Sequence, residues 1–142
     1  MLTSSIKTGI KKGLETTWLL AKTIIPVYIF VTILNNTPII GWITTLFEPL
    51  MGIFNLPGEA AIVLVVGNLL NLYAAIGAIK AIELTAMQVT ILAIMLSFSH
   101  SLLVETAVTR KLGFKVSHAL IIRMGLAVIS GIIVGRVGAL VW

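Results

Sequence analysis

The sequence contains no cysteine and no aspartate, and Asp, Glu, Lys and Arg together make up only 11% of its 142 residues. Without cysteine there are no disulfides, no thiolate metal sites and no thiol nucleophile. Without aspartate, a GxSxG elbow or a phosphate loop, no arrangement for nucleophilic catalysis remains, so neither enzyme activity nor a bound metal or cofactor is expected. A soluble domain carries about a quarter charged residues, and a globule this poor in charge could not cover its own surface. The solvent must therefore be mostly lipid.

What is present agrees with that. Hydrophobic residues make up 58% of the chain and the mean hydropathy is +1.12. The length allows at most four or five spans of ~20 residues, which excludes a multidomain enzyme or a nucleic-acid module. The net charge of +5 would suggest nucleic acid in a soluble protein. Here the basic residues sit at the ends of apolar segments, where they orient the chain and meet lipid headgroups. No compact apolar core with a small-residue cleavage site opens the chain, so the first hydrophobic helix is expected to be its own insertion signal.

Residues 1–142 read as one membrane domain. In its first 16 residues, Leu2, Ile6, Ile10 and Leu14 recur every four positions, with Lys7, Lys11 and Lys12 elsewhere on the wheel. That spacing predicts a short amphipathic helix on an anionic leaflet; a basic flank orienting the first span is the competing reading. A first span covers 17–34, with Trp18 at interface depth and Pro26, a potential kink, in its middle. Residues 39–54 are too short and polar for a span and fit an in-plane or re-entrant helix. Asn55, Pro57 and Glu59 read as the start of the next helix, whose apolar run lasts to Ile79. Further spans cover 84–104 and 117–142, the latter ending in an interfacial Trp142, with a basic loop at 110–115 between them. The expected fold is all-α: a polytopic membrane protein with about three full spans, a short amphipathic helix and a re-entrant or broken-helix segment.

Basic residues in short loops decide orientation. If residues 39–79 cross the membrane once, Lys7, Lys11, Lys12 and Lys80 oppose Arg110, Lys111 and Lys115. If they make no net crossing, all but Lys80 share one side. The second count is the more asymmetric, and it predicts a cytoplasmic N-terminus and basic loop, with the C-terminus outside.

Intramembrane polar residues are costly and are functional candidates by default. Asn68 and Asn71 offer carboxamides near the middle of an apolar run, to a neutral polar ligand or a neighbouring helix. On a continuous helix Ser97, His100, Ser101 and Glu105 would share one face, fit to hold a small polar solute, relay protons or neutralise Arg123. The last span carries Ala119, Arg123, Ala127, Gly131, Gly135 and Ala139 at four-residue spacing. Ala127, Gly131, Gly135 and Ala139 predict close helix packing, including a contact surface for assembly. Arg123 is expected to snorkel or to pair with Glu105.

The order of these elements resembles the nucleoside-recognition or "gate" domain of spore maturation proteins, concentrative nucleoside transporters and the ferrous iron transporter B. The resemblance lies in Ile24-Ile25-Pro26-Val27-Tyr28, a short amphipathic helix, Leu56-Pro57-Gly58-Glu59-Ala60-Ala61 and Gly67-Asn68-Leu69-Leu70-Asn71, and covers residues 20–110. It implies that Asn68 and Asn71 stand at the tip of a re-entrant hairpin beside a broken helix containing residues 97–101. Leu69 and Leu70 replace part of the polar cluster usual at that tip, and the cysteine of the iron transporters is missing. Transporters often build a midplane site from two inverted repeats, each with a broken helix. By that measure this chain is half a machine, which implies a homo-oligomer or a heteromer with a second gate-domain protein. The expected function is an inner-membrane transporter or gate for a small polar solute, nucleoside-like by resemblance. The alternative is a non-transporting subunit that assembles with or regulates a partner.

Overall fold

The computed structural model describes residues 2–141 and is helical throughout. Its elements are α1 (Leu2–Asn35), α2 (Pro38–Met51), a short 3-10 turn (Gly52–Phe54), α3 (Ala60–Leu69), α4 (Leu72–Ala81), α5 (Ala86–Ser99), α6 (Leu102–Lys111) and α7 (Val116–Val141). Among the described residues, three stretches are long and apolar enough to cross a membrane: Thr3–Asn35, Ala86–Lys111 and Val116–Leu140. The second of these carries a backbone break between α5 and α6. Trp142, expected at the interface, lies outside the described residues.

Side by side, the helices run α1, α4, α3, α5, α7. α3 and α4, 10 residues each, fold back on one another as a hairpin. Alanine and glycine make this close approach feasible: Ala60, Ala74, Ala75 and Ala78 are fully buried. A Cβ on Gly67 would lie 3.1 Å from that of Ala75 and 2.6 Å from the Leu96 side chain of α5. On the other flank, a Cβ on Gly77 would stand 2.7 Å from the Ile24 carbonyl oxygen of α1. The core that results is Val31, Leu56, Val63, Ile91, Leu92 and Leu96 with their neighbours. The segment from Ala60 to Ala81 is thus a helical hairpin and not one continuous helix.

Several local expectations are corrected. α1 is a single helix of 34 residues, about 51 Å at 1.5 Å per residue, with no boundary near residue 16; Pro26 lies within it and does not end it. Asn55 does not open α3. It closes the preceding 3-10 turn with φ +60°, a left-handed conformation that asparagine tolerates. α3 starts at Ala60 after turns in which Ala60 and Ala61 donate to the Pro57 and Gly58 carbonyls. Gly58 is required there because a Cβ at this position would overlap the Thr44 backbone of α2. α5 starts at a Thr85/Gln88 capping box, with each side chain bonded to the other residue's backbone, a Thr-x-x-Gln signal.

The small-residue stripe of α7 is filled from within the chain. Ala127 is buried, Gly131 faces Met95 and Phe54, and Gly135 presses on the Phe54 backbone, while Gly138 faces Met87. Met87 and Met95 of α5 meet α7 in reverse order, so the two helices are antiparallel. The stripe therefore does not lie open for another subunit, except at Ala139, which is exposed.

Candidate functional site

The candidate site is built on two interruptions in the backbone. α3 ends at Leu70 (φ −95°, ψ −88°), and α4 begins with Asn71, whose side chain accepts a bond from the Ala74 amide at 2.9 Å. α5 ends at His100 (φ −59°, ψ 155°), and Ser101 sits left-handed at φ +54° before α6. A non-glycine residue there is strained by roughly 1–2 kcal/mol, the kind of outlier that gathers at functional sites. The two breaks meet: the Ser101 amide donates to the Gly67 carbonyl at 3.0 Å.

A helix end leaves its last carbonyls without partners. Arg123, reaching across from α7, supplies them. Its Nε donates to the Phe98 carbonyl at 2.7 Å and its Nη2 to the His100 carbonyl at 3.0 Å. Its Nη1 lies 2.6 Å from Glu105 Oε2. Glu105 stands in the first turn of α6. The cation therefore meets the negative end of α5 and the carboxylate the positive end of α6, as the helix dipoles favour.

His100 Nδ1 lies 2.8 Å from the Leu96 carbonyl, so the proton that makes this bond is on Nδ1. In the neutral imidazole Nε2 then faces Glu105 Oε1 as an acceptor at 3.9 Å. Two acceptors at that distance make no bond with each other; a donor placed between them could bond both. Beside the break is a cavity of about 380 Å³ lined by apolar side chains of α2, α3, α5, α6 and α7, with Asn68 and Ser99 as the polar exceptions. Asn68 Oδ1 is buried and accepts no hydrogen bond. Ser99, 1% exposed, donates to the Met95 carbonyl.

The structure thus brings together His100, Ser101, Glu105 and Arg123, with Asn68 on the neighbouring cavity wall. It does not gather the full set expected on one helical face, because the backbone breaks between Ser99 and Leu102. Ser97 bonds the Ile94 carbonyl and lines a separate groove with Leu72 and Ile76. Asn71 is engaged as a cap. Sequence reasoning missed Ser99 and the carbonyl-capping role of Arg123. The missed signal for Arg123 was that freed carbonyls require a donor wherever a helix breaks.

Comparison with known proteins adds the following. The family model described as Gate, nucleoside recognition, matches residues 17–115. An uncharacterized membrane protein of Bacillus subtilis (strain 168), YvoD, is 46% identical over 129 residues, covering 91% of this chain and 41% of that protein. The chain thus spans about two fifths of the length of that relative. No solved structure matches. Since the family model takes in both the hairpin and the broken helix, this multi-pass membrane chain belongs to the Gate nucleoside-recognition family.

Proposed function

We propose that the chain works as an oligomeric gate or transporter subunit of the inner (plasma) membrane for a small polar solute, nucleoside-like as the family description suggests. The observation that supports this most is the junction of the two breaks, Ser101 to Gly67, held by Arg123. Broken helices meeting at membrane depth present backbone dipoles and polar side chains to a solute where an intact helix would present none. In this reading a donor group of the solute bridges His100 Nε2 and Glu105, and Asn68 Oδ1 accepts another. Asn71 and Ser101 hold the shape of the junction, and Ser97 has no direct contact with the solute. No chemistry is performed, so the protein is a conduit and not an enzyme. The basic loop and N-terminus face the cytoplasm, and the C-terminus faces outward.

A second reading is a non-transporting subunit that assembles with or regulates a partner. It is favoured by the fact that Asn71, Ser97 and Arg123 all direct their hydrogen bonds inside the chain. Uptake and thermal-shift measurements on the chain in liposomes, with nucleosides, other small metabolites and cations, separate the two. The gate reading expects a solute that raises the melting temperature of the native chain but not of His100→Ala. No response to any solute, together with an intact cellular phenotype in His100→Ala, would refute it.

A further inference from the structure

We propose that the turn between α6 and α7 is a binding site for an anionic phospholipid, whose phosphate clamps α6 to α7. The site lies apart from the junction of the two breaks and stands whatever solute that junction passes.

The turn is fixed by its backbone. Gly113 has φ +80°, and the Gly113 and Phe114 amides donate to the Arg110 and Thr109 carbonyls, each at 3.2 Å. This pair of bonds is the Schellman ending of a helix. It leaves Leu112 67% and Phe114 70% exposed among Arg110, Lys111 and Lys115, which are exposed as well. A groove of about 730 Å³ is lined here by Thr109 of α6, Phe114 and Lys115 of the turn, and His118 and Ile122 of α7.

The place of the turn in the fold puts it at a membrane surface. α5 and α6 together run antiparallel to α7: Met87 meets Gly138, Met95 meets Gly131, Phe98 meets Arg123, and Thr109 shares the groove with Ala119. α7 has 26 residues, about 39 Å of helix, against a hydrocarbon core of ~30 Å. The end of such a pair reaches headgroup level whichever leaflet it faces.

The positive charge of the turn has no counterpart in the chain. No acidic residue follows Glu105 in the sequence, and Glu105 itself is engaged by Arg123. Among the described residues, Arg110, Lys111 and Lys115 form no ion pair. The dipole of α6 accounts for Arg110 and Lys111, which sit in its last turn. It does not account for Lys115, which stands where the dipole of α7 repels cations. Like charges this close in the chain build a positive potential that an anion lowers. A phosphodiester supplies that charge and accepts hydrogen bonds from the ammonium groups and the His118 ring. The exposed Leu112 and Phe114 favour a lipid over a dissolved anion, because apolar side chains beside cations bury at the boundary of headgroups and acyl chains. A soluble phosphate would leave both in water.

Such a lipid would steady the broken helix. Among the described residues none in α6 is buried, so little packing holds this helix in place. The Glu105–Arg123 pair fastens it near the break. A phosphate shared by Lys111 of α6 and Lys115 before α7 fastens its other end, and with it the carboxylate that Arg123 binds.

Thermal unfolding of the chain in nanodiscs tests this, with phosphatidylglycerol added in rising fraction to phosphatidylcholine. The expected result is a midpoint that rises and saturates with phosphatidylglycerol. One surface cation contributes roughly fivefold to the binding of anionic lipid, so Lys111→Gln with Lys115→Gln should raise the half-saturating fraction roughly tenfold or more. Lys111→Arg with Lys115→Arg should keep the response. So should Lys7→Gln with Lys12→Gln, which removes the same charge from exposed positions of α1. Inorganic phosphate in pure phosphatidylcholine discs should leave the midpoint unchanged. A flat response to phosphatidylglycerol would overturn the proposal. An equal loss in the α1 variant would do so as well, by showing diffuse attraction only. A rise with inorganic phosphate equal to that with phosphatidylglycerol would assign the turn to dissolved anions and overturn it too.

Discussion

Replacing Arg123 by methionine keeps most of the side-chain volume and removes the guanidinium. Two carbonyls, Phe98 and His100, then lose donors at 2.7 and 3.0 Å, and Glu105 loses its partner. A hydrogen bond from a charged donor contributes roughly 1.5–3 kcal/mol, so two such bonds contribute about 3–6 kcal/mol. The ion pair adds less, below about 1 kcal/mol, because the Glu105 side chain is 45% exposed and exposed pairs are weak. Arg123→Met is therefore expected to cost about 3–6 kcal/mol, and Glu105→Gln less than about 1. Arg123→Lys falls between them, since one ammonium cannot span three acceptors as the planar fork does. Reversible unfolding of the chain in mixed micelles of rising SDS fraction, followed by tryptophan fluorescence, would measure all three. Capping and not charge pairing is the main role, so the double variant should show a coupling of less than about 1 kcal/mol. A Glu105→Gln cost equal to that of Arg123→Met, or an Arg123→Met cost below about 1 kcal/mol, would refute the reasoning.

The other predictions concern packing, strain, an unpartnered atom and pH. Gly135→Ala, against the Phe54 backbone, should cost about 1–3 kcal/mol; Gly131→Ala, facing the flexible end of Met95, should cost less in the same unfolding assay. Ser101→Gly should stabilise the fold by about 1 kcal/mol by relieving the left-handed backbone, and a loss of stability would show that the hydroxyl matters more than the strain. Asn68→Leu removes a buried acceptor without a partner and should raise stability by about 1 kcal/mol, while abolishing any solute-induced thermal shift. Burial, and then the charge of Glu83, raise the Glu59 carboxyl above its ordinary value. The folded state thus holds the proton more tightly than the unfolded one. The stability this gives is full below the unfolded value, about 4.3, and is lost as pH rises through the folded one. Glu59→Gln should therefore be more stable than the native chain at pH 7 and equal to it near pH 4, as thermal melts across that range would report.

Much of the plan could be read from composition and pattern. Scarcity of charge named the solvent, runs of apolar residues located the spans, and the asymmetry of Lys and Arg argued against a net crossing by residues 39–79. Those features act through transfer free energy, which is additive along a chain and hence visible in one dimension. No proline or glycine interrupts residues 68–73, so local pattern does not mark the turn there; at Leu70 it is made by the Asn71 cap and the anchor to Ser101. The spacing of Ser97, His100, Ser101 and Glu105 suggested one polar face, but that holds only on an unbroken helix. Where α5 breaks depends on the Gly67 carbonyl and on Arg123, which is 23 residues from His100. Long-range hydrogen bonds depend on which backbone groups are left unsatisfied after packing, a three-dimensional condition. The residue types available for a site were thus determined by the sequence alone. Which of them face a common space was decided by the tertiary structure, because helix ends must find donors that local pattern does not supply.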